Sequence, residues 1–180
     1  MHRGEEMDMA GSDIRSALET LSRTIAAEPG KAKAKHGPTT ATIDQGGLKC
    51  RVTGPLGEHI QTDMPPAMGG TASGPNPGWF FRASIASCSA TVIAMRAAQL
   101  GISLSKLEVT VESDGDHRGI LGLDDQVSAG ASALRTKVRI GADNAAPGQL
   151  EDLVRWAEKH SPVGCTVQDA PANTLSVDVI

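Results

Sequence analysis

The longest apolar segment of the chain runs from Asn76 to Gly101, and its pattern predicts one long helix. Asn76 is a favourable N-cap, and Pro77 suits the first helical position because the amide proton that it lacks has no partner there. Gly101 provides the left-handed residue that ends many helices. Few charges interrupt the segment. Because the helix is apolar on nearly every side, we expect it to be buried on most faces, with Cys88 near its middle.

Short alternating segments before this helix predict three antiparallel strands joined as a meander. The segments are residues 39–44, 48–53 and 58–63, with turns at 45–47 and 54–57. Cys50 shares one side of the second strand with Leu48 and Val52, so we expect it to pack in the core. Residues 64–75 contain three prolines and three glycines, which predicts a loop that leads directly into the long helix.

The pattern after the long helix predicts two more paired strands, an amphipathic helix and a final strand. These segments are residues 104–113, 134–140, 147–160 and 175–180. The helix has an apolar stripe formed by Leu150, Leu153, Val154 and Ala157. Residues 163–169 are expected to form a short turn or helix. Six or so antiparallel strands combined with helices indicate an α+β fold, an antiparallel sheet with a buried central helix.

The first 38 residues are predicted to form an N-terminal tail, a short helix and a linker, and residues 39–180 a single domain. An apolar stripe at helical spacing begins after a cap at residue 12 or 13 and ends near Ala27. The residues before this cap are expected to be a frayed tail. The basic segment 31–38 is expected to be a solvated connector rather than a binding patch.

Charge and composition narrow the classes of function. The 180 residues include 17 basic and 21 acidic side chains, a net charge of −4, which speaks against a nucleic-acid or membrane partner. The first residues are charged and do not resemble a signal peptide. Arg82 and Arg96 interrupt the longest apolar run, so no transmembrane span is expected. Three cysteines without a CxxC pair favour a reducing compartment, so we expect a cytoplasmic location.

No metal ion or other cofactor is expected, because the five histidines and three cysteines show no metal-ligand spacing.

Two polar features lie near predicted strand ends, Asp63 and the segment 116–119. We interpret both as turn or cap residues.

Cys88 has two interpretations. It is either a small buried hydrophobic residue or a reactive thiolate. The helix macrodipole is too far away to activate it, since Cys88 lies about three turns from the helix start. A cationic partner would have to reach it through the fold, from Arg51, His59, Lys159 or His160. Cys165 is either a resolving thiol or simply a half-exposed residue.

The stretch GGTASGPNPGWFFRASIASC, followed by about twenty helical residues, a β pair, a helix and HSPV, resembles the OsmC/Ohr family. The resemblance covers residues 39–180, which would therefore form an OsmC-like domain. It implies an OsmC-like fold and an intertwined homodimer. Active members of the family reduce organic hydroperoxides, with a peroxidatic cysteine on the central helix and a resolving cysteine near the end of the second helix. Cys88 matches the first of these.

The sequence departs from the family pattern at two positions. Ser161 stands before Pro162 where the family has its second cysteine, and Cys165 follows four residues later. Gly78 stands where active enzymes usually carry a glutamate that helps to orient an arginine from the early strands. Arg51 is the candidate for that arginine.

The resemblance implies thiol-dependent reduction of organic hydroperoxides through Cys88, with an external dithiol as the reductant. In this hypothesis Cys165 and Arg51 complete the catalytic set. The substrate would contact Ser161 and an apolar wall formed by Trp79, Phe80 and Phe81. The alternative is a catalytically degenerate homodimer that binds a small apolar ligand in its interface cleft, and Gly78 and Ser161 both favour it. A purely structural role has no support in the sequence.

Overall fold

The computed structural model describes residues 2–43 and 46–180, with side chains from residue 11 onward. Its helices are α1 (His2–Ala27), α2 (Pro77–Leu100), α3 (His117–Ile120), α4 (Pro147–Glu158) and α5 (Pro162–Gln168). Its strands are β1 (Thr40–Ile43), β2 (Cys50–Thr53), β3 (His59–Thr62), β4 (Leu104–Asp114) and β5 (Ala133–Ala142). The chain divides into two compact units, one with residues 84–180 and the start of α1 up to Ser16, the other with Ala17–Ala83.

Helix α2 begins and ends where the sequence predicts. The Asn76 side-chain oxygen accepts a hydrogen bond from the Trp79 N–H at 2.8 Å, as an N-cap does. Gly101 follows the last turn with a φ of +70°, the left-handed region that favours glycine. The Arg15 side chain of α1 donates to the Ala98 carbonyl at 2.7 Å and so satisfies one carbonyl of that last turn.

The burial of α2 differs from the prediction. The helix is buried along one stripe, which consists of Ile85, Ser89, Ile93, Ala97 and Ala98. Thr91 and Met95 are exposed. The expectation of burial on most faces is therefore wrong within this chain. The physical reason is that the elements packed against the stripe cover only one side of a helix that is apolar all round.

The core beside this stripe is formed by β4, β5 and α4. The two strands pair antiparallel with Leu107 opposite Ile140 and Val109 opposite Val138. Those four side chains pack against a buried cluster consisting of Ile93, Ala97, Leu153 and Ala157. Helix α4 therefore buries the predicted stripe, and the strands match their predicted positions. In the β4–β5 connection, Asp116 caps the single turn of α3 by accepting the Arg118 N–H at 2.9 Å, as expected for a cap residue.

The other unit contains the predicted meander, with strand order β1-β2-β3 and antiparallel pairing throughout. The predicted first strand included Asp44 and the following turn included Gln45, and both lie outside the described residues. Cys50 is half-buried rather than part of the core, so that prediction is wrong. Its strand is only four residues long and its neighbour Val52 is also half-buried, so this side of the sheet is incompletely covered.

Asp63 organises the loop that leads into α2. The carboxylate is buried, with 2% of its surface exposed, and accepts five hydrogen bonds from three residues, which are Met64, Thr71 and Ser73. The Thr71 hydroxyl, and next the Ser73 N–H, hold the pKa of Asp63 far below its usual range. Gly70 lies so close to this turn that a β-carbon there would overlap the Met64 carbonyl oxygen. The expected turn role of Asp63 is confirmed.

Both ends of the chain correct the sequence prediction. Helix α1 begins at His2 instead of residue 12, since the first residues include good helix formers such as Glu5 and Met7. Residues 175–180 are described but form no strand, and Leu175 is 87% exposed. A strand needs a neighbour to pair its backbone groups, and none lies beside this segment in the described chain. The described residues therefore contain five strands, not six. No helix among them is long and apolar enough to cross a membrane.

Candidate functional site

Cys88 lies in the middle of α2 beside the buried stripe, and it is half-buried. Helical spacing places four other side chains on its face of the helix, which are Ser84, Thr91, Val92 and Met95. All four line a cavity together with Cys88. The thiol is therefore neither sealed in the core nor fully in solvent, which is the environment that a reactive cysteine needs.

Ser161 is the residue that contacts the sulfur. Its hydroxyl donates a hydrogen bond to Cys88 Sγ at 3.3 Å. The same oxygen caps α5 by accepting the Gly164 N–H at 3.2 Å, so its proton is directed to the sulfur. Ser161 has no exposed surface. Ser161 is therefore a buried hydrogen-bond donor to the sulfur of Cys88.

The cavity has a volume of about 530 Å³, which is within the range of small-molecule sites. Its apolar lining comes from three parts of the fold and consists of Val92, Met95, Trp156, Pro162 and Val163. Its polar lining consists of Ser84, Ser87, Cys88, Thr91, Arg96, Gln99 and His160. No carboxylate belongs to this lining in the described part of the chain, so an apolar ligand with a neutral or anionic polar group fits it best.

Trp156 supports two basic side chains of the cavity wall. The Arg96 guanidinium carbon lies 4.3 Å from the centre of the indole, a cation–π contact. The His160 ring stacks on the same indole, with ring centres 3.9 Å apart and planes 12° from parallel. His160 Nδ1 lies 2.7 Å from the Trp156 carbonyl oxygen. Both basic groups are thus held in defined positions by one residue of α4.

Cys165 lies one helical turn beyond Ser161, in α5. It is half-buried, and its thiol donates to the Lys159 carbonyl at 3.5 Å. Cys165 is not among the described residues that line the cavity. The side chain in contact with Cys88 is therefore the Ser161 hydroxyl, and the resolving role of Cys165 stays a prediction.

The remaining predicted site residues belong to the other unit and are described by themselves. Arg51 lies in the centre strand of the meander between Thr42 and Gln61, and it is exposed. The rings of Trp79 and Phe80 meet edge to face, with centres 5.0 Å apart. Phe81 is 40% exposed. The predicted roles of these four residues, activation of the thiol and contact with the substrate, stay predictions.

Sequence reasoning missed part of the cavity wall. Arg96, Gln99 and Trp156 were not predicted as site residues, and His160 was considered only as a residue that the fold would have to bring in. One local signal existed, since Trp156 and His160 are four residues apart and therefore neighbours on a helix. The described residues contain no group of three or more His, Cys, Asp or Glu side chains able to hold a metal ion.

Comparisons with a family model and with solved structures both lead to OsmC-like proteins. The family model described as OsmC-like protein matches residues 70–176. No curated protein sequence matches the chain at a significant level. The chain is similar in structure to an OsmC-like protein from Mycoplasma pneumoniae, with a TM-score of 0.64 and 16% identity over 77% of this chain and 91% of that one.

Two further solved structures that are similar to this chain belong to proteins named for organic hydroperoxide resistance. An organic hydroperoxide resistance protein from Legionella pneumophila is 22% identical, with a TM-score of 0.56 over 76% of this chain and 93% of that one. An organic hydroperoxide resistance protein from Elizabethkingia anophelis is 18% identical, with a TM-score of 0.56 over 77% of this chain and 91% of that one. At these identities the likeness establishes the fold, an α+β arrangement of helices and antiparallel sheet.

Proposed function

The chain belongs to the OsmC-like protein family, and from this premise we propose that it reduces organic hydroperoxides with Cys88 as the attacking thiol. The observation that carries the proposal is the Ser161 hydroxyl, which donates to Cys88 Sγ beside a cavity with an apolar wall. A thiolate supported by a buried donor, facing an apolar cavity, suits the attack on an alkyl peroxide. The names of the Legionella and Elizabethkingia proteins support the same chemistry.

The reaction has two stages. The Cys88 thiolate attacks the terminal peroxide oxygen, so that an S–O bond forms, the O–O bond breaks and the alkoxide leaves with a proton as the alcohol. A second thiol, from Cys165 or an external molecule, then condenses with the sulfenic acid, and a disulfide and water result. A dithiol reductant returns the disulfide to two thiols. In this proposal Arg51 activates the thiol, and Trp79, Phe80 and Phe81 extend the apolar substrate contact.

We also propose that the protein acts as a cytoplasmic homodimer. Apolar side chains that a single chain leaves exposed support a second copy, and they are Leu175, Val177, Val179 and Ile180. Light scattering during gel filtration is expected to give twice the 18.6 kDa of one chain. Replacement of Val177 and Val179 by aspartate is expected to lower this mass, whereas replacement of Ser176 is not. A wild-type mass of one chain would contradict the homodimer.

Consumption of cumene hydroperoxide under excess dithiothreitol tests the enzymatic function. Wild-type protein is expected to turn over, and Cys88→Ser to be inactive. Cys50→Ser is the matched control, since it removes a half-buried thiol of the other unit, and it is expected to keep full activity. The rate of Cys165→Ser shows whether that thiol or dithiothreitol resolves the sulfenic acid. A wild-type rate no higher than that of free dithiothreitol would contradict the proposal.

A second candidate function is binding of a small apolar ligand without turnover. Ser161 in place of the family's second cysteine favours it, and so does the size of the apolar cavity. A binding protein tolerates loss of the thiol, whereas the enzyme does not. An apolar fluorescent probe displaced equally well from wild type and from Cys88→Ala, together with no peroxide consumption, would favour this alternative.

A further inference from the structure

The leaving alkoxide of an alkyl peroxide needs a proton, and the cavity beside Cys88 contains a side chain suited to supply it. We propose that His160 is the proton donor to the leaving oxygen, an inference that rests on the proposed peroxide reduction. His160 and Cys88 line the same cavity of about 530 Å³. His160 also precedes Ser161, the residue in contact with Cys88 Sγ, so its backbone is held about 3.8 Å, one Cα step, from that residue.

The hydrogen bonding of His160 fixes which of its nitrogens can exchange a proton. Nδ1 lies 2.7 Å from the Trp156 carbonyl oxygen, and a carbonyl oxygen only accepts hydrogen bonds. Nδ1 therefore carries a hydrogen, and Nε2 is the nitrogen that gains and loses the exchangeable proton. Stacking on Trp156 at 3.9 Å holds the ring in this orientation. The side chain is solvent-exposed, so water can restore its proton.

The other polar groups of the cavity are less suited to the transfer. Arg96 is fixed over Trp156 and donates to the Gln99 side-chain oxygen at 3.2 Å, and a guanidinium does not release its proton near neutral pH. The serine and threonine hydroxyls are far weaker acids than an imidazolium. Of the described side chains that line the cavity, His160 is the one imidazole, the side chain that most often acts as a general acid.

The proton balance involves Cys88, His160 and solvent water. The Cys88 thiol first gives its proton to solvent water, and the exposed His160 ring carries a solvent-derived proton on Nε2 as the imidazolium. The thiolate then attacks the peroxide, the S–O bond forms as the O–O bond breaks, and the imidazolium proton moves to the departing alkoxide. Cys88 ends as a sulfenic acid, the peroxide as an alcohol, and His160 as the neutral imidazole, which takes up a proton from water again.

Two oxidants with different leaving groups test this assignment. Cumene hydroperoxide expels an alkoxide that needs a proton, whereas peracetic acid expels acetate, which does not. Single-turnover oxidation of the Cys88 thiol is followed by quenched flow and peptide mass spectrometry. His160→Asn, whose amide nitrogen takes the place of Nδ1 and can still donate to the Trp156 carbonyl, is expected to slow the reaction with cumene hydroperoxide by about a hundredfold. It is expected to react with peracetic acid at nearly the wild-type rate. His36→Asn, at an exposed histidine of the other unit, is the matched control.

The remaining outcomes each overturn the assignment. Equal slowing with both oxidants would mean that His160 acts on the thiol and not on the leaving oxygen. Unchanged rates with both would mean that another group supplies the proton. If wild-type Cys88 reacts with peracetic acid but not with cumene hydroperoxide, the proposed function itself fails and this inference fails with it. That result is seen in the wild-type protein alone, so the two failures are distinguishable.

Discussion

The Ser161 hydroxyl donates a hydrogen bond to Cys88 Sγ at 3.3 Å, across 73 positions of sequence. The serine also begins α5 by accepting the Gly164 N–H. One buried oxygen therefore connects the start of a short helix to the thiol in the middle of a long one. Any movement of α5 changes the surroundings of the sulfur, so the capping geometry and the chemistry of the thiol are coupled.

Removal of this hydroxyl is expected to slow the reactions of Cys88. A hydrogen bond contributes about 0.5–1.5 kcal/mol, so Ser161→Ala is expected to lower the rate of Cys88 alkylation by iodoacetamide at pH 7 roughly two- to tenfold. The lost cap is expected to cost about 1 kcal/mol of unfolding free energy. Peptide mass spectrometry separates alkylation of Cys88 from that of Cys50 and Cys165. An unchanged alkylation rate at Cys88 would contradict the coupling.

The control for this variant is Ser128→Ala. The Ser128 hydroxyl likewise accepts a backbone N–H, that of Gly130 at 3.1 Å, but it lies in the exposed β4–β5 connection. Its removal is expected to leave Cys88 alkylation unchanged.

A thiol in place of the Ser161 hydroxyl is expected to form a disulfide with Cys88. The two side-chain atoms are already 3.3 Å apart, so only a small adjustment would bring two sulfurs to bonding distance. One equivalent of cumene hydroperoxide is expected to oxidise Ser161→Cys to a form lighter by two hydrogens, and dithiothreitol to reverse it. Non-reducing peptide mapping identifies the linked pair. A stable sulfenic acid with no linked peptide would show that the geometry does not permit the bond.

The sequence pattern predicted those parts of the fold that depend on local signals. Asn76 and Gly101 mark the ends of α2 through capping preferences, and alternation marks β4 and β5. Predictions that depended on what covers an element were less accurate. The uniform apolarity of α2 did not reveal which stripe would be buried, and the alternation of residues 175–180 did not reveal that a pairing neighbour is lacking in the described chain.

In the candidate site, too, features with a local signal in the sequence were predicted and features that depend on the fold were not. Helical periodicity placed Met95 on the face of Cys88, where the cavity lies. The contact between Ser161 and Cys88 joins two helices that are far apart in the sequence, so spacing along the chain could not predict it. The contact of Arg96 with Trp156 joins α2 and α4, so it too required the three-dimensional arrangement, whereas the four-residue spacing of Trp156 and His160 was a local signal for their stacking.

Asp63 is expected to stabilise the loop before α2 in a pH-dependent manner. Its pKa is far below the usual value in the folded protein, so its contribution is fully present above the ordinary carboxyl pKa of about 3.9. The contribution is lost progressively as the pH falls below that value, because the unfolded chain then binds a proton that the folded carboxylate does not. Asp63→Asn is expected to unfold at a lower urea concentration than wild type at pH 7, and the difference is expected to shrink toward pH 3.

Asp125→Asn, at an exposed position, is the matched control and is expected to unfold like wild type at every pH. A difference for Asp63→Asn that stays constant between pH 7 and pH 3 would mean that the asparagine disturbs packing instead of removing a favoured charge.

A larger side chain at Met95 is expected to exclude bulky substrates from the cavity. Met95 lines the cavity and is 37% exposed, so a tryptophan at this position extends into the open volume with little strain on the core. Met95→Trp is expected to lower kcat/KM for cumene hydroperoxide about tenfold, a normal penalty for a poor fit to an apolar pocket. Hydrogen peroxide is small enough to pass the indole, so its rate constant is expected to change little.

The comparison of the two peroxides separates steric exclusion from damage to the thiol. Loss of reactivity toward both would indicate that the new ring disturbs Cys88 or Ser161, because hydrogen peroxide needs no apolar wall. Lys137→Trp places the same ring on an exposed position of β5, and it is expected to leave both rate constants unchanged. Equal kcat/KM for cumene hydroperoxide in Met95→Trp and wild type would show that the substrate approaches Cys88 by a route other than this cavity.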